Sequence, residues 1–171
     1  MGKTEEAAAR VHVERDKLEA QYKQYKTLIN ELSQHYQTAK CGAFLDRYEK
    51  LKDMIKACYE GFEKVKQENI RAATRSGGLM GAAMALAETE RQVEEREILI
   101  LKYKENSKEE VRALTEKMES QVKDYRKKVL HIKKLIETMH ENYEASKSQF
   151  PKQRYETMKN IAKSVFSDPN I

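Results

Sequence analysis

The stretch Arg75-Ser76-Gly77-Gly78-Leu79 lies near the middle of the 171-residue chain and holds its only two adjacent glycines. Glycine just beyond a helix readily adopts the left-handed conformation that ends it. Apolar residues on the two sides of this stretch mirror each other about residue 77, as a helix folded back on itself requires. The mirrored pairs are Tyr36 with Met118, Leu32 with Val122, Ile29 with Tyr125, Tyr25 with Val129, Tyr22 with Ile132, Leu18 with Ile136, and Val11 with Tyr143.

The composition favours the same architecture. Charged residues make up 36% of the chain, it contains two prolines and no tryptophan, and helix-favouring residues dominate, as in coiled coils. We therefore predict an all-α fold, a long antiparallel helical hairpin (coiled coil) that turns at Ser76–Gly78. The hairpin domain covers residues 1–150, with arm 1 at about 4–75, the turn at 76–78 and arm 2 at about 79–149.

Arm 1 carries two heptad runs that are out of phase with each other. The first is Leu18, Tyr22, Tyr25, Ile29, Leu32, Tyr36 and Ala39; the second is Cys41, Phe44, Tyr48, Leu51, Ile55, Cys58, Phe62 and Val65. Steps of three and four residues indicate a coiled-coil seam. The phase changes around Gly42. We favour a continuous helix with a local irregularity there, and the alternative is a true helix end that makes a three-helix bundle.

Arm 2 carries one seam, and a proline follows it. The seam residues are Val111, Leu114, Met118, Val122, Tyr125, Val129, Ile132, Ile136, Met139 and Tyr143. Pro151 interrupts the pattern, because proline biases the preceding residue away from helix. Beyond it, Tyr155, Met158, Ile161, Ala162 and Val165 form one more amphipathic stripe. Residues 151–171 are therefore predicted to be a short C-terminal helix and tail.

Charge and cysteine content bear on location. The formal net charge of +5 arises entirely in residues 101–171, since residues 1–100 carry 17 basic and 17 acidic side chains. Cys41 and Cys58 are 17 residues apart on one arm, and we expect reduced thiols. No apolar run approaches the length of a membrane span, and no signal peptide follows Met1. These features predict a cytoplasmic, cytoskeleton-associated or nuclear protein that is neither secreted nor transmembrane.

The sequence offers no pattern typical of catalysis. His12, His35, His131 and His140 lack the spacing of metal ligands. Adjacent carboxylates such as Glu94 and Glu95 point to different sides of a helix. We therefore expect no enzyme, no cofactor, no metal site and no catalytic residue.

Two surface features are candidate binding sites. The first is a basic patch, in which only Asp124 opposes the cations; it consists of Lys123, Arg126, Lys127, Lys128, Lys133 and Lys134. Such a patch binds acidic protein segments, membrane surfaces or nucleic-acid backbone, or is a solvated flank paired with Glu19 and Glu31. Poor aromatic interleaving speaks against nucleic-acid readout.

The second candidate comes from a mismatch between the arms. In the mirror register Phe44, Leu45 and Tyr48 face the polar segment Lys104–Glu110, so they lack apolar counterparts. Uncovered apolar patches mark interaction sites. We predict that a helix of another protein, or of a second copy of this chain, docks there.

The nine residues Phe44–Lys52, Phe-Leu-Asp-Arg-Tyr-Glu-Lys-Leu-Lys, resemble a stretch of TACC-type centrosomal coiled coils. The rest of the chain does not follow that family, and no function is carried over from it.

A thin two-helix hairpin buries one stripe per helix, so we expect a homodimer or a hetero-oligomeric coiled coil. The function that fits best is a non-enzymatic coiled-coil scaffold or adaptor. It would mediate protein–protein interaction in a cytoskeletal, centrosomal, kinetochore or trafficking assembly. The alternative is a BAR-like membrane-binding helical dimer that uses a basic face.

Overall fold

The computed structural model describes residues 2–75 and 82–171, with side chains for residues 2–71 and 93–171. Over these residues the chain forms α-helices and no strand. The helices are α1 (Lys3–Thr38), α2 (Phe44–Arg75), α3 (Ala82–Lys104), α4 (Lys108–Ser146) and α5 (Pro151–Phe166). The predicted all-α helical hairpin architecture is confirmed, and the long helices α1 and α4 pack together. The predicted turn at Ser76–Gly78 lies outside the described residues.

The first arm is two helices, so the continuous helix favoured from the sequence is wrong. α1 ends at Thr38, and Gly42 has a φ of 104° before α2 begins at Phe44. That left-handed conformation is one that glycine adopts without steric cost. α2 then folds back against α1, where the rings of Tyr25 and Phe62 lie 5.6 Å apart. The phase break in the heptads therefore marks a chain reversal.

The second arm is also interrupted, at residues 105–107. Ser107 begins α4, because its hydroxyl accepts a hydrogen bond from the amide of Glu110 at 3.2 Å and its carbonyl accepts one from Val111 at 3.0 Å. A serine in this position satisfies amides that have no partner within the helix. The polar segment that separates α3 from α4 is thus a helix boundary.

The C-terminal helix begins where the sequence predicts. Phe150 is extended, with φ −66° and ψ 153°, and Pro151 occupies the first helical turn of α5. Proline suits that position because its missing amide would have no partner there. The predicted stripe of α5 is buried throughout; its members are Tyr155, Met158, Ile161, Ala162 and Val165.

The chain divides into two compact units. The first unit comprises residues 1–21 and 67–127, and the second comprises residues 22–66 and 128–171. α1, α2 and α4 therefore each contribute to both units. α3 belongs to the first unit and α5 to the second.

The core of the first unit corrects the mirror register. Ala8 lies in one buried cluster with Tyr103, Val111 and Met118, and Arg15 further along α1 donates a hydrogen bond to Gln121 further along α4, at 3.1 Å. Residue numbers therefore rise together along α1 and α4, which pack in the same direction here. The antiparallel pairing of these two helices about residue 77 is wrong. Its physical cause is the chain reversal at Gly42, which makes α2 the antiparallel neighbour of α1.

The core of the second unit contains the residues that the heptads select. Buried residues of α1, α2, α4 and α5 form one cluster, which includes Tyr25, Ile29, Leu32, Tyr36, Leu51, Ile55, Phe62, Val129, Ile132, Ile136, Met139, Tyr143, Met158 and Val165. Burial of a large apolar side chain stabilises a fold by about 1.5–3 kcal/mol. The C-terminal helix is thus a full member of this core.

Candidate functional site

The first turns of α2 and α5 meet in the second unit, and we call the contact between Arg47, Tyr48, Arg154 and Tyr155 the Arg–Tyr junction. Arg154 is only 9% exposed. Its Nη1 donates a hydrogen bond to the Tyr48 hydroxyl at 2.9 Å, and its Nε donates one to the Ser146 hydroxyl at 3.3 Å. Its guanidinium also lies 5.8 Å from the ring centroid of Tyr48. Two hydroxyls and an aromatic ring therefore surround this buried cation.

The junction is reciprocal. The guanidinium of Arg47 lies 5.4 Å from the ring centroid of Tyr155, as that of Arg154 lies over the ring of Tyr48. Each arginine therefore stacks on the tyrosine that follows the other arginine in sequence. A cation over an aromatic face is attracted by about 0.5–2 kcal/mol, depending on its desolvation. These contacts fix α5 against α2.

The acidic residues that follow Tyr48 and Tyr155 in sequence pair with lysines. Glu49 lies 3.7 Å from Lys52 in α2, and Glu156 lies 3.8 Å from Lys159 in α5. The two pairs occupy equivalent positions after Tyr48 and Tyr155. Neither arginine of the junction has a carboxylate within ion-pair distance among the described residues. The junction therefore carries two positive charges, neither of which forms an ion pair with a described residue.

Sequence analysis missed the junction, although a signal was present. Arg-Tyr-Glu followed by a lysine three residues later occurs at 47–52 and again at 154–159. Each copy begins at the fourth residue of its helix. The repeat is short, and only the folded chain shows that its two copies touch.

The predicted partner site lies at this junction, but its premise needs correction. Phe44 and Tyr48 do not lack apolar cover, because the ring of Phe44 lies 5.2 Å from that of Tyr155 and both residues pack against the core. α5 provides the apolar contacts that were missing for Phe44 and Tyr48 in the mirror register. Leu45 alone of the three is largely exposed, at 69%.

A second exposed apolar side chain flanks the junction. Phe150, the residue before α5, is 83% exposed, and its carbonyl accepts the amide of Arg154 at 2.8 Å. Leu45 lies in the first turn of α2, between Phe44 and Arg47. A large exposed apolar side chain thus lies at the N-terminal end of each of the two helices, Leu45 within α2 and Phe150 just before α5. Aromatic residues and arginine are the types that dominate protein interfaces.

The predicted basic patch divides between the two units. Lys123, Arg126 and Lys127 are exposed in the first unit, and Arg126 pairs with Glu14 of α1. In the second unit, the ammonium of Lys128 lies 5.4 Å from the ring centroid of Tyr22. Lys133 is half-buried there and Lys134 is exposed. The structure thus brings some of these cations against α1 and leaves others in solvent.

The first unit contains a polar chain that resembles an acid–base relay. Nδ1 of His12 lies 2.6 Å from the hydroxyl of Tyr103, and Nε2 of His12 lies 3.4 Å from Asp16. Burial raises the pKa of Tyr103 above its ordinary value of 10.0. The hydroxyl also lies 3.8 Å from the sulfur of buried Met118. This arrangement fixes Tyr103 inside the core.

His140 and His131 each contact a residue that is distant in sequence. The ring of His140 stacks on that of Tyr59 at 3.6 Å, and Nε2 of His131 lies 3.2 Å from Asp168. Within the described ranges, no three histidine, cysteine or acidic residues are placed to hold a metal ion.

An exposed apolar pair lies on α3. Ile98 is 64% exposed and Leu101 is 62% exposed. Side chains three residues apart lie on the same face of a helix. The pair is therefore one surface patch of the first unit.

Comparisons with known proteins assign the chain to no family. No family model matches the chain, and no curated protein or solved structure is significantly similar to it. Among the described helices, none combines the length and apolar character needed to cross a membrane. The structure thus defines an all-α helical protein.

Proposed function

We propose that the protein is a non-catalytic helical adaptor that binds a protein partner at the Arg–Tyr junction. The observation that carries this proposal is the exposure of Leu45 in the first turn of α2 and of Phe150 immediately before α5. Neither side chain contributes to the core, and water contact of large apolar groups is unfavourable. A partner that covers both side chains would remove their apolar surface from water, and this burial would stabilise the complex.

The partner that fits is an amphipathic helix. A helix presents apolar residues three and four positions apart, and such a face docks on apolar side chains that flank a groove. The charges of Arg47 and Arg154 favour acidic residues beside the apolar face. The wider role, as a scaffold in a cytoskeletal, centrosomal, kinetochore or trafficking assembly of the cytoplasm or nucleus, rests on the coiled-coil pattern of the sequence.

The test is binding of a purified partner. Proteins that cross-link to the chain in cells are identified, and each is purified and titrated with the wild type. The double variant Leu45→Ala with Phe150→Ala is expected to weaken the specific partner about tenfold or more, since each buried side chain contributes about 1.5–3 kcal/mol. The control is Leu130→Ala, which removes a 61% exposed apolar side chain of α4. Equal affinities of the double variant and the control for every partner would contradict the proposal.

Membrane binding is the competing function, and vesicles decide between the two. Lys123, Lys127 and Lys134 are exposed cations of the basic patch, and anionic lipids attract such residues by about 1 kcal/mol each. The adaptor proposal predicts no co-sedimentation with phosphatidylserine vesicles at 0.15 M salt, that is, at a Debye length of about 8 Å. Binding that the triple Lys→Gln variant abolishes would favour the BAR-like alternative.

We also propose that the chain forms a homodimer through α3. The two α3 helices pair antiparallel about the midpoint between Ile98 and Leu101. Ile98 of each copy then faces Leu101 of the other copy. The same symmetry sets Glu97 against Lys102 of the second copy, and all four residues are exposed. Isologous contacts of this kind are the commonest in dimers. One like-charge pair, Glu94 with Glu105, flanks the patch.

That flanking pair provides a sharp test of the dimer. Replacing Ile98→Lys should abolish dimers in sedimentation equilibrium, and the chain of 20.0 kDa should then sediment as a monomer. Glu105→Lys should instead tighten the dimer about fivefold, because two new surface ion pairs contribute about 0.5 kcal/mol each. A wild type that is monomeric at high micromolar concentration would contradict the dimer.

A further inference from the structure

We propose that Arg47 and Arg154 form a binding site for an oxyanion, a carboxylate or phosphoryl group presented by the partner protein. That a protein partner presents this group rests on the proposed function, whereas the site itself can be tested with free ions. Both arginines of the junction carry a positive charge.

Arg154 is a buried cation with no carboxylate at ion-pair distance among the described residues. Its two hydrogen bonds go to neutral hydroxyls of Tyr48 and Ser146, and its guanidinium also lies 5.2 Å from the ring centroid of Tyr143. Taking a charge out of water costs several kcal/mol unless an opposite charge compensates it. Hydroxyls and rings offset only part of that cost. An anion bound at this place would offset the rest of the cost of burying the charge of Arg154.

Arg47 adds a second unsatisfied group. Its Nε is buried and has no hydrogen-bond partner among the described residues. A buried donor without an acceptor is costly, so natural structures rarely retain one without a role. Arg47 is held over Tyr155, the residue next to Arg154. The unsatisfied donor and the uncompensated cation therefore belong to the same junction.

The acidic residues around the junction do not fill this role. Glu49 and Glu156 pair with lysines of their own helices, as described above. Glu144 lies 2.8 Å from Lys147, and the hydrogen bond with Lys147 is the main cause of the lowered pKa of Glu144, to which the charge of Arg154 adds a smaller part. Asp46, which is exposed, lies beside Gly42 at the turn between α1 and α2.

The chemistry of the two groups selects the ligand class. A guanidinium presents five N–H donors in a planar fork that matches the oxygens of carboxylate and phosphate. Stacking on a tyrosine holds the plane of the fork while its edges stay available for hydrogen bonds. Two such groups from different helices favour an anion with at least two oxygens.

The experiment measures ion binding to the full chain. The Nε–Hε resonances of Arg47 and Arg154 are followed by NMR during titration with inorganic phosphate or with acetate, against sodium chloride at matched ionic strength. We expect saturable shifts of these two resonances. Shifts with phosphate alone assign a phosphoryl group, and shifts with both ions assign a site that also takes a carboxylate.

Two variants and one control test the assignment. Arg47→Gln removes a half-buried guanidinium that makes no hydrogen bond to a described residue, so it should keep the helical content and lose at least tenfold in phosphate affinity. Lys134→Gln, an exposed cation elsewhere in the second unit, should leave the affinity unchanged. Arg154→Lys keeps the charge but not the fork and should also lose at least tenfold. Absence of saturable shifts, or equal affinity of all three variants, would overturn the site.

The two experiments distinguish failure of the oxyanion site from failure of the adaptor proposal. If ions do not bind but Leu45→Ala with Phe150→Ala still releases the partner, the oxyanion site is refuted and the adaptor stands. If ions bind and that double variant keeps every partner, the adaptor proposal fails and the oxyanion site stands.

Discussion

The hydroxyl of Tyr48 accepts a hydrogen bond of 2.9 Å from Nη1 of Arg154, and this bond joins the first turn of α2 to the first turn of α5. The two residues are 106 positions apart in sequence. The bond shows why the C-terminal helix is not an appendage. Its single buried cation is positioned by residues of α2 and α4, and the apolar stripe of α5 then completes the core of the second unit.

The first prediction concerns Ser146, the other hydrogen-bond partner of Arg154. Ser146→Ala should lower the free energy of unfolding by about 1–3 kcal/mol, because it removes a buried acceptor from a charged donor. The matched control is Ser148→Ala, whose exposed hydroxyl donates only to the carbonyl of Ala145, and which should change stability by less than about 0.5 kcal/mol. Urea unfolding followed by circular dichroism measures both, and equal effects would show that Arg154 does not depend on Ser146.

The second prediction concerns the two thiols. Cys41 is exposed and Cys58 is buried. Burial, with a smaller contribution from Glu31, raises the pKa of Cys58 to about 12, and only the thiolate is nucleophilic. At pH 8 a thiol reagent such as DTNB should therefore modify one cysteine of the native chain quickly and the second only after denaturation. Cys41→Ser should abolish the fast phase; a fast phase that survives this change would mean that Cys58 is accessible.

Sequence reasoning predicted the core better than the connections. The heptad runs selected Tyr25, Ile29, Ile55 and Phe62, all of which are buried. This succeeds because burial of one helical stripe is a local property of the sequence. Two residues of the α4 seam are exceptions, since Leu114 is 38% exposed and Tyr125 is half-buried.

The direction of packing could not be deduced in the same way. Two heptad seams fit each other in several registers, both parallel and antiparallel, so the mirror about residue 77 did not exclude α1 and α4 packing in one direction. The deciding residue is Gly42, where a positive φ reverses the chain. The Arg–Tyr junction was missed for a related reason: arginine is normally exposed, and only the docking of α5 buries Arg154.

The third prediction tests this register directly. In a chain with Cys41→Ser and Cys58→Ala, cysteines at Arg15 and Gln121 should cross-link within one molecule through a short bismaleimide, because the native side chains are in hydrogen-bond contact at 3.1 Å. Glu119 is the control position, since two residues correspond to about 200° around a helix. Arg15→Cys with Glu119→Cys should cross-link far more slowly. Mass spectrometry of the monomer band measures both, and equal yields would remove the support for this register.

The fourth prediction concerns acid sensitivity at the end of α5. The pKa of Asp168 is lowered from its ordinary value of 3.8, chiefly by the hydrogen bond from the amide of Asn170 and further by His131. A carboxyl whose pKa is lower in the folded state stabilises the fold above its unfolded pKa, and this stabilisation is lost as the pH falls through the folded value. The wild type should therefore lose more of its melting temperature between pH 6 and pH 3 than Asp168→Asn does. Asp46→Asn, at the exposed first turn of α2, is the control and should follow the wild type. If Asp168→Asn loses as much as the wild type, the carboxylate of Asp168 does not stabilise the C-terminal end of this unit.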